Sequence, residues 1–121
     1  SKCIVVEDDP FWSSEISAAL LSANVEVIHA VDGREALALA RLHPDASMVL
    51  DMILPHVDGV EVLQQLGAIA PDMAVLAVTG GGRLGAAFYM RLARSFGAKV
   101  QLAKPFTQGQ LVENWTALAA D

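Results

Sequence analysis

Three acidic residues in a row, Glu7-Asp8-Asp9, follow an apolar run near the start of the chain; Asp51 ends another such run, Thr79-Gly80 a third and Lys104-Pro105 a fourth. Carboxylates brought together from separate segments repel one another unless a cation lies between them, and a hard divalent ion is the natural choice. Magnesium suits such a set, because one or two carboxylates, a carbonyl, waters and a phosphate oxygen satisfy it. A lysine beside it is then a point charge for a second anion, and a threonine hydroxyl next to a glycine N–H supplies donors to oxygen atoms. Brought to one place, these residues could handle a phosphoryl group. Asp9 taken alone reads as a helix cap.

What could bring them together is a regular alternation of elements. Short apolar runs at 3–6, 25–28, 48–50, 73–78 and 100–103 read as strands, and several are apolar at successive positions, as when helices cover both faces of a parallel sheet. Between them lie helix signals. Asp9 precedes Pro10 at a first helical position, with Ile16, Ala19, Leu20 and Ala23 on one face. Asp32 and Glu35 have the spacing of a capping box, and Pro44 ends that helix. A third helix is expected over 58–66 with Gly67 beyond its end, a fourth over 83–96 closing on Gly97, and a fifth from Thr107 with Gln110 at the box position. Five βα units with right-handed crossovers make an α/β fold, a doubly wound five-stranded parallel sheet, whose ligands sit at the carboxyl ends of the strands. All four polar positions fall at such ends.

Bulk properties bound the alternatives. A chain of 121 residues with 54% hydrophobic content suits one domain over 1–121, with a core that needs neither disulfides nor a structural metal. Cys3, the single cysteine, falls in an apolar run and reads as a small core residue. No apolar stretch approaches the roughly 20 residues that cross a bilayer, and the first residues lack the pattern of a signal peptide, so a cytoplasmic protein without a membrane partner is expected. A net charge of −6 and a pI near 4.8 argue against direct binding of nucleic acid, which relies on cations to neutralise phosphates.

The segments Val-Val-Glu-Asp-Asp-Pro at 5–10, Asp-Met-Ile-Leu-Pro-His-Val-Asp-Gly at 51–59, Val-Thr-Gly at 78–80 and Ala-Lys-Pro-Phe at 103–106 resemble the four signature segments of response-regulator receiver domains. Four in the right order carry far more weight than one. The resemblance implies a flavodoxin-like (βα)5 fold with strand order 2-1-3-4-5. It implies Asp51 as the phosphoacceptor, Asp8 as a direct metal ligand with Glu7 as its acidic neighbour, and the Ile53 backbone carbonyl as a further ligand to Mg2+. Thr79, with the Gly80 N–H, would bind phosphoryl oxygens, and Lys104 would pair with the acyl phosphate. The implied partners are a sensor histidine kinase or phosphotransfer protein and an output domain or protein. The domain itself would be a monomer or weak dimer, a signalling module with intrinsic autodephosphorylation and not a turnover enzyme.

Several positions depart from the pattern. Gln101 stands three residues before the lysine, where the family's aromatic switch is expected; Tyr89 could substitute but reads as packing. The loop Gly80-Gly81-Gly82 is richer in glycine than the pattern and reads as mobile, with a slightly lengthened stretch before Lys104. Lys99-Val100 stands where the DNA-binding branch tends to carry acidic residues, which weakens dimerisation through that face. His29 and His43 read as structural, and His56 as exposed although close to the site. Trp12 is expected near the mouth of the site, and Trp115 against the core or a partner. A haloacid-dehalogenase-type phosphatase would need a second Asp at 53, and a flavin binder a phosphate loop where Glu7-Asp8-Asp9 stand. The remaining alternative is a degenerate receiver that acts as a phosphorylation-independent interaction module.

Overall fold

The computed structural model describes residues 1–81 and 83–119. Strands and helices alternate: β1 Lys2–Val6, α1 Pro10–Ser22, β2 Glu26–Ala30, α2 Gly33–Leu42, β3 Ser47–Asp51, α3 Gly59–Ile69, β4 Val75–Thr79, α4 Ala86–Ser95, β5 Val100–Ala103 and α5 Gln108–Ala119. The strands form one parallel sheet in the order β2-β1-β3-β4-β5, as the resemblance implied.

Successive strand residues point to opposite faces, so each strand feeds two cores. Ile4, Val6, Met48, Leu50, Val75 and Ala77 pack with Leu37, Val62, Leu63 and Leu66 from α2 and α3. Cys3, Val5, Val49, Leu76 and Val78 face the other way, against Ile16 and Leu20 of α1 and Leu111, Trp115 and Leu118 of α5. Each fully buried aliphatic side chain of this kind contributes about 1.5–3 kcal/mol. Burial on both faces explains why these runs show no polar alternation.

The caps foreseen at Asp9, Asp32 and Thr107 are made, and Asp58, expected inside the third helix, caps it instead. Asp9 accepts from Phe11 N–H at 2.9 Å, and Asp58 from Glu61 N–H at 3.1 Å. Asp32 accepts from Glu35 N–H while Glu35 accepts from Val31 N–H, both at 2.9 Å, and Thr107 and Gln110 exchange bonds of 3.0 and 2.8 Å.

Most boundaries fall within a residue or two of expectation, and the larger or more telling differences have local causes. Helix α3 runs through Gly67 to Ile69, because Leu66 and Ala70 still bury against the core and Pro71 follows only then. Helix α4 begins at Ala86: Gly85 has a φ of +88° and offers no side-chain cap, so 83–85 stay outside the helix. Val25 spends its N–H on Leu20 O and Met73 on Ala70 O, so β2 and β4 start after them, and His29 lies inside β2. The expected mobile loop Gly80-Gly81-Gly82 includes Gly82, which lies outside the described residues.

Candidate functional site

Register decides which strand tips meet. Leu50 pairs with Val6 on one side and Ala77 on the other, Asp51 pairs with Val78, and Thr79 with Ala103. The residues at or just past those positions, Glu7, Asp8, Asp51, Thr79 and Lys104, therefore emerge at one edge at nearly the same height. Backbone bonds beyond the strands keep them there: Glu7 N–H to Ala30 O at 3.1 Å, Met52 N–H to Val78 O at 2.9 Å and Lys104 N–H to Thr79 O at 2.8 Å.

Lys104 Nζ lies 3.1 Å from Asp51 Oδ2 and 2.8 Å from Glu7 Oε1. The approach to Asp51 is a directed hydrogen bond. That to Glu7 is an ion pair without hydrogen-bond direction, which leaves Glu7 Oε1 a buried acceptor with no aligned donor. The other Glu7 oxygen accepts from Asp9 N–H at 3.2 Å, and Asp51 Oδ1 accepts from Ile53 N–H at 2.9 Å. Glu7, Asp51 and Thr79 are buried, whereas Asp8 is exposed at the rim. Carboxylate oxygens of Glu7, Asp8 and Asp51 lie within 4.8 Å of one another. Thr79 Oγ1 accepts from Gly81 N–H at 3.3 Å, and a Cβ on Gly80 would touch Lys104 Cδ at 3.5 Å.

The electrostatics follow from crowding. Burial, reinforced by the neighbouring Asp51 carboxylate and partly offset by Lys104, pushes the Glu7 carboxyl from 4.5 up to about 7. Burial would lower the Lys104 ammonium, but its close approach to the Glu7 carboxylate and the charge of Asp51 outweigh it and raise its pKa. One ammonium thus faces three carboxylates. Oxygen ligands at this spacing, in negative excess and including a buried acceptor without an aligned donor, fit a hard divalent ion.

A family model for the response regulator receiver domain matches residues 3–116. The chain belongs to the response regulator receiver domain family. The response regulator MprA of Mycolicibacterium vanbaalenii is 35% identical across 97% of this chain and 49% of its own length. The DNA-binding dual master transcriptional regulator RpaA of Synechocystis is also 35% identical, over 97% of this chain and 48% of its own. This receiver domain spans about half the length of the curated relatives it matches. Its fold is shared by the receiver domain of a sensor histidine kinase from Pseudomonas aeruginosa, at a TM-score of 0.87 and 24% identity over 99% of this chain and 98% of that one; that structure has a magnesium ion coordinated in its active-site cleft. Membership in a two-component signalling family sets aside the phosphatase and flavin alternatives.

Where this receiver departs from its family's pattern, the structure gives each departure a place. Gln101 is held toward α4, its Nε2 donating to Ala98 O at 2.8 Å and its Oε1 accepting from Arg94 Nε at 3.4 Å. Tyr89 is half-buried against the α2–α3 core and meets Phe88 edge-on at 5.3 Å. His43 caps α2, and His56 is exposed with a φ of +66°. Trp115 is in the core. His29 ties β2 to α1: its Nδ1 and Nε2 contact the hydroxyls of Ser13 and Ser17 at 3.2 and 3.1 Å. No described helix is long and apolar enough to cross a membrane. A surface cavity lined by Ser47, Ala74 and Lys99 opens at the opposite edge, away from the carboxylates.

Around the site itself, two contacts escaped the sequence. One is the Lys104 ammonium over the Trp12 ring, 5.5 Å from its centre. The other is Gly59, where a Cβ would come within 2.6 Å of Met52 Cα; the Asp58-Gly59 pair was a visible signal, but only the fold shows what the glycine avoids.

Proposed function

We propose that this receiver accepts a phosphoryl group on Asp51 and passes the change to an output partner. The observation that carries the reading is Lys104 Nζ poised between Asp51 and Glu7 at 3.1 and 2.8 Å, beside the exposed Asp8. Asp51 is pinned from two sides, by Ile53 N–H on one oxygen and by the ammonium on the other, so its carboxylate is oriented before a donor arrives. A carboxylate oxygen of Asp51 attacks phosphorus in line, the new O–P bond forms, and the bond to the donor breaks, either P–N of a phosphohistidine or P–O of acetyl phosphate. Lys104 then directs its ammonium toward the phosphoryl oxygens, with the Thr79 hydroxyl and the Gly80 N–H as further donors.

Glu7, Asp8, Asp51 and the Ile53 carbonyl would hold Mg2+, which when bound offsets the repulsion between nucleophile and phosphoryl oxygens. Hydrolysis of the acyl phosphate by a water at the same site would return the domain to its resting state, an intrinsic autodephosphorylation. The phosphoryl source in this reading is a cytoplasmic sensor histidine kinase or phosphotransfer protein. The output is a separate domain or protein, since a net charge of −6 disfavours contact with DNA by this domain itself.

A second reading has one observation in its favour. Gln101, held by Arg94 of α4 and by the Ala98 carbonyl beyond it, has no ring to turn inward, which suits an interaction module indifferent to phosphate. The two separate on incubation with acetyl phosphate and Mg2+. An added phosphoryl mass that disappears in Asp51→Asn supports the switch, and failure to label with several donors supports the module.

A further inference from the structure

Lys104 has a third neighbour besides its two carboxylates. Its Nζ lies 5.5 Å from the centre of the Trp12 ring. Trp12 packs on Phe106 with centroids 4.7 Å apart and planes tilted by 41°, and meets Phe11 edge-on at 5.2 Å. The two packed rings come from distant parts of the sequence: Trp12 from the first turn of α1, Phe106 from the loop two residues past Lys104. An ammonium near a ring face is attracted to the ring's quadrupole, more strongly where water is excluded, and the Lys104 side chain is only 10% exposed.

Resting on the reading of Asp51 as phosphoacceptor, we propose that Trp12 is a positioning residue for phosphoryl transfer, holding Lys104 at the reacting centre and tying it to the β5–α5 loop through Phe106. The lysine's other partners are the carboxylates that the transfer itself engages. Once Asp51 carries the phosphoryl group, the resting ion pairs no longer hold the ammonium as they did, whereas the indole face is chemically unchanged. A flexible four-carbon stem needs such a fixed neighbour to present its charge in one place. Movement of Lys104 toward a new phosphate is therefore felt by Trp12 and Phe106.

The test is the rate of phosphorylation of the whole chain by acetyl phosphate with Mg2+, followed by intact mass, for wild type, Trp12→Leu and Trp12→Phe. Leucine keeps an apolar side chain but removes the π face, and should slow uptake roughly threefold to tenfold. Phenylalanine should recover most of the rate, and calorimetry should give the same Mg2+ affinity in all three. Equal rates for wild type and Trp12→Leu overturn the inference and leave Asp51 as acceptor; so does a parallel loss of Mg2+ affinity, which marks general damage to the site. If even wild type takes no label, the functional reading fails, and NMR decides the contact by itself. The Lys104 ε-methylene protons of wild type should be shifted upfield by the indole ring current and return to ordinary positions in Trp12→Leu. Ordinary positions in wild type overturn the inference without need of any variant.

Discussion

With one ammonium against three carboxylates at the strand tips, single charges decide how the site behaves. Glu7 keeps its proton in the folded chain up to about 7, whereas an unfolded chain releases it near 4.5. Between those values the folded state binds more protons, so this group makes the metal-free domain less stable as pH rises through that window, with no further loss above it. Mg2+ needs the deprotonated carboxylate, so thermal denaturation should show a larger rise in Tm on adding Mg2+ at about pH 8 than at about pH 5. An equal rise at both would contradict the crowding. Lys104→Met leaves the buried carboxylates without their cation and should destabilise the metal-free domain by about 3 kcal/mol in urea titrations, less at acid pH where Glu7 takes up a proton. Asp51→Asn removes a repelling charge, so it should stabilise the metal-free domain while abolishing the label.

At the scale of elements, two glycines on α3 make opposite demands. Gly59 starts the helix with its backbone against Met52, its N–H on Met52 O at 3.1 Å, and this contact sets the loop that follows Asp51. Gly59→Ala forces a methyl to within 2.6 Å of Met52 Cα and should cost about 1–3 kcal/mol while weakening Mg2+ binding through the displaced loop. Gly67 lies inside the same helix with open space where a Cβ would go. Gly67→Ala should therefore stabilise the domain by about 0.5–1 kcal/mol, by restricting the unfolded chain and favouring the helix. Chemical denaturation of both variants checks the pair, and a sign reversal in either would mean that α3 sits elsewhere.

For the whole molecule, charge is sorted along the sheet. All 14 carboxylates lie outside 73–112, a stretch that holds Arg83, Arg91, Arg94, Lys99 and Lys104. Exposed Arg91 and Arg94 on α4 would face their own kind if two copies joined through α4 and β5. Sedimentation velocity at low salt should accordingly show a monomer, and added salt should promote any self-association through this face by screening the repulsion. A dimer that forms at low salt and dissociates as salt rises would point to attraction between the acidic and basic parts instead.

Most of this architecture was legible because it rests on local and periodic signals. Two-sided burial writes itself as unbroken apolar runs, capping writes itself as Asp32 with Glu35 and Thr107 with Gln110, and a doubly wound sheet assigns its ligands to the strand tips. The residues Glu7, Asp8, Asp51, Thr79 and Lys104 could therefore be named from the sequence, as could the absence of an aromatic at 101. Contacts across the fold were not legible: the run of α3 through Gly67, the Gly85 start of α4, the approach of Gly59 to Met52, the serines around His29 and the Trp12 face near Lys104. Each depends on where two distant segments come to lie, and a local pattern carries no distance between segments that only packing brings together.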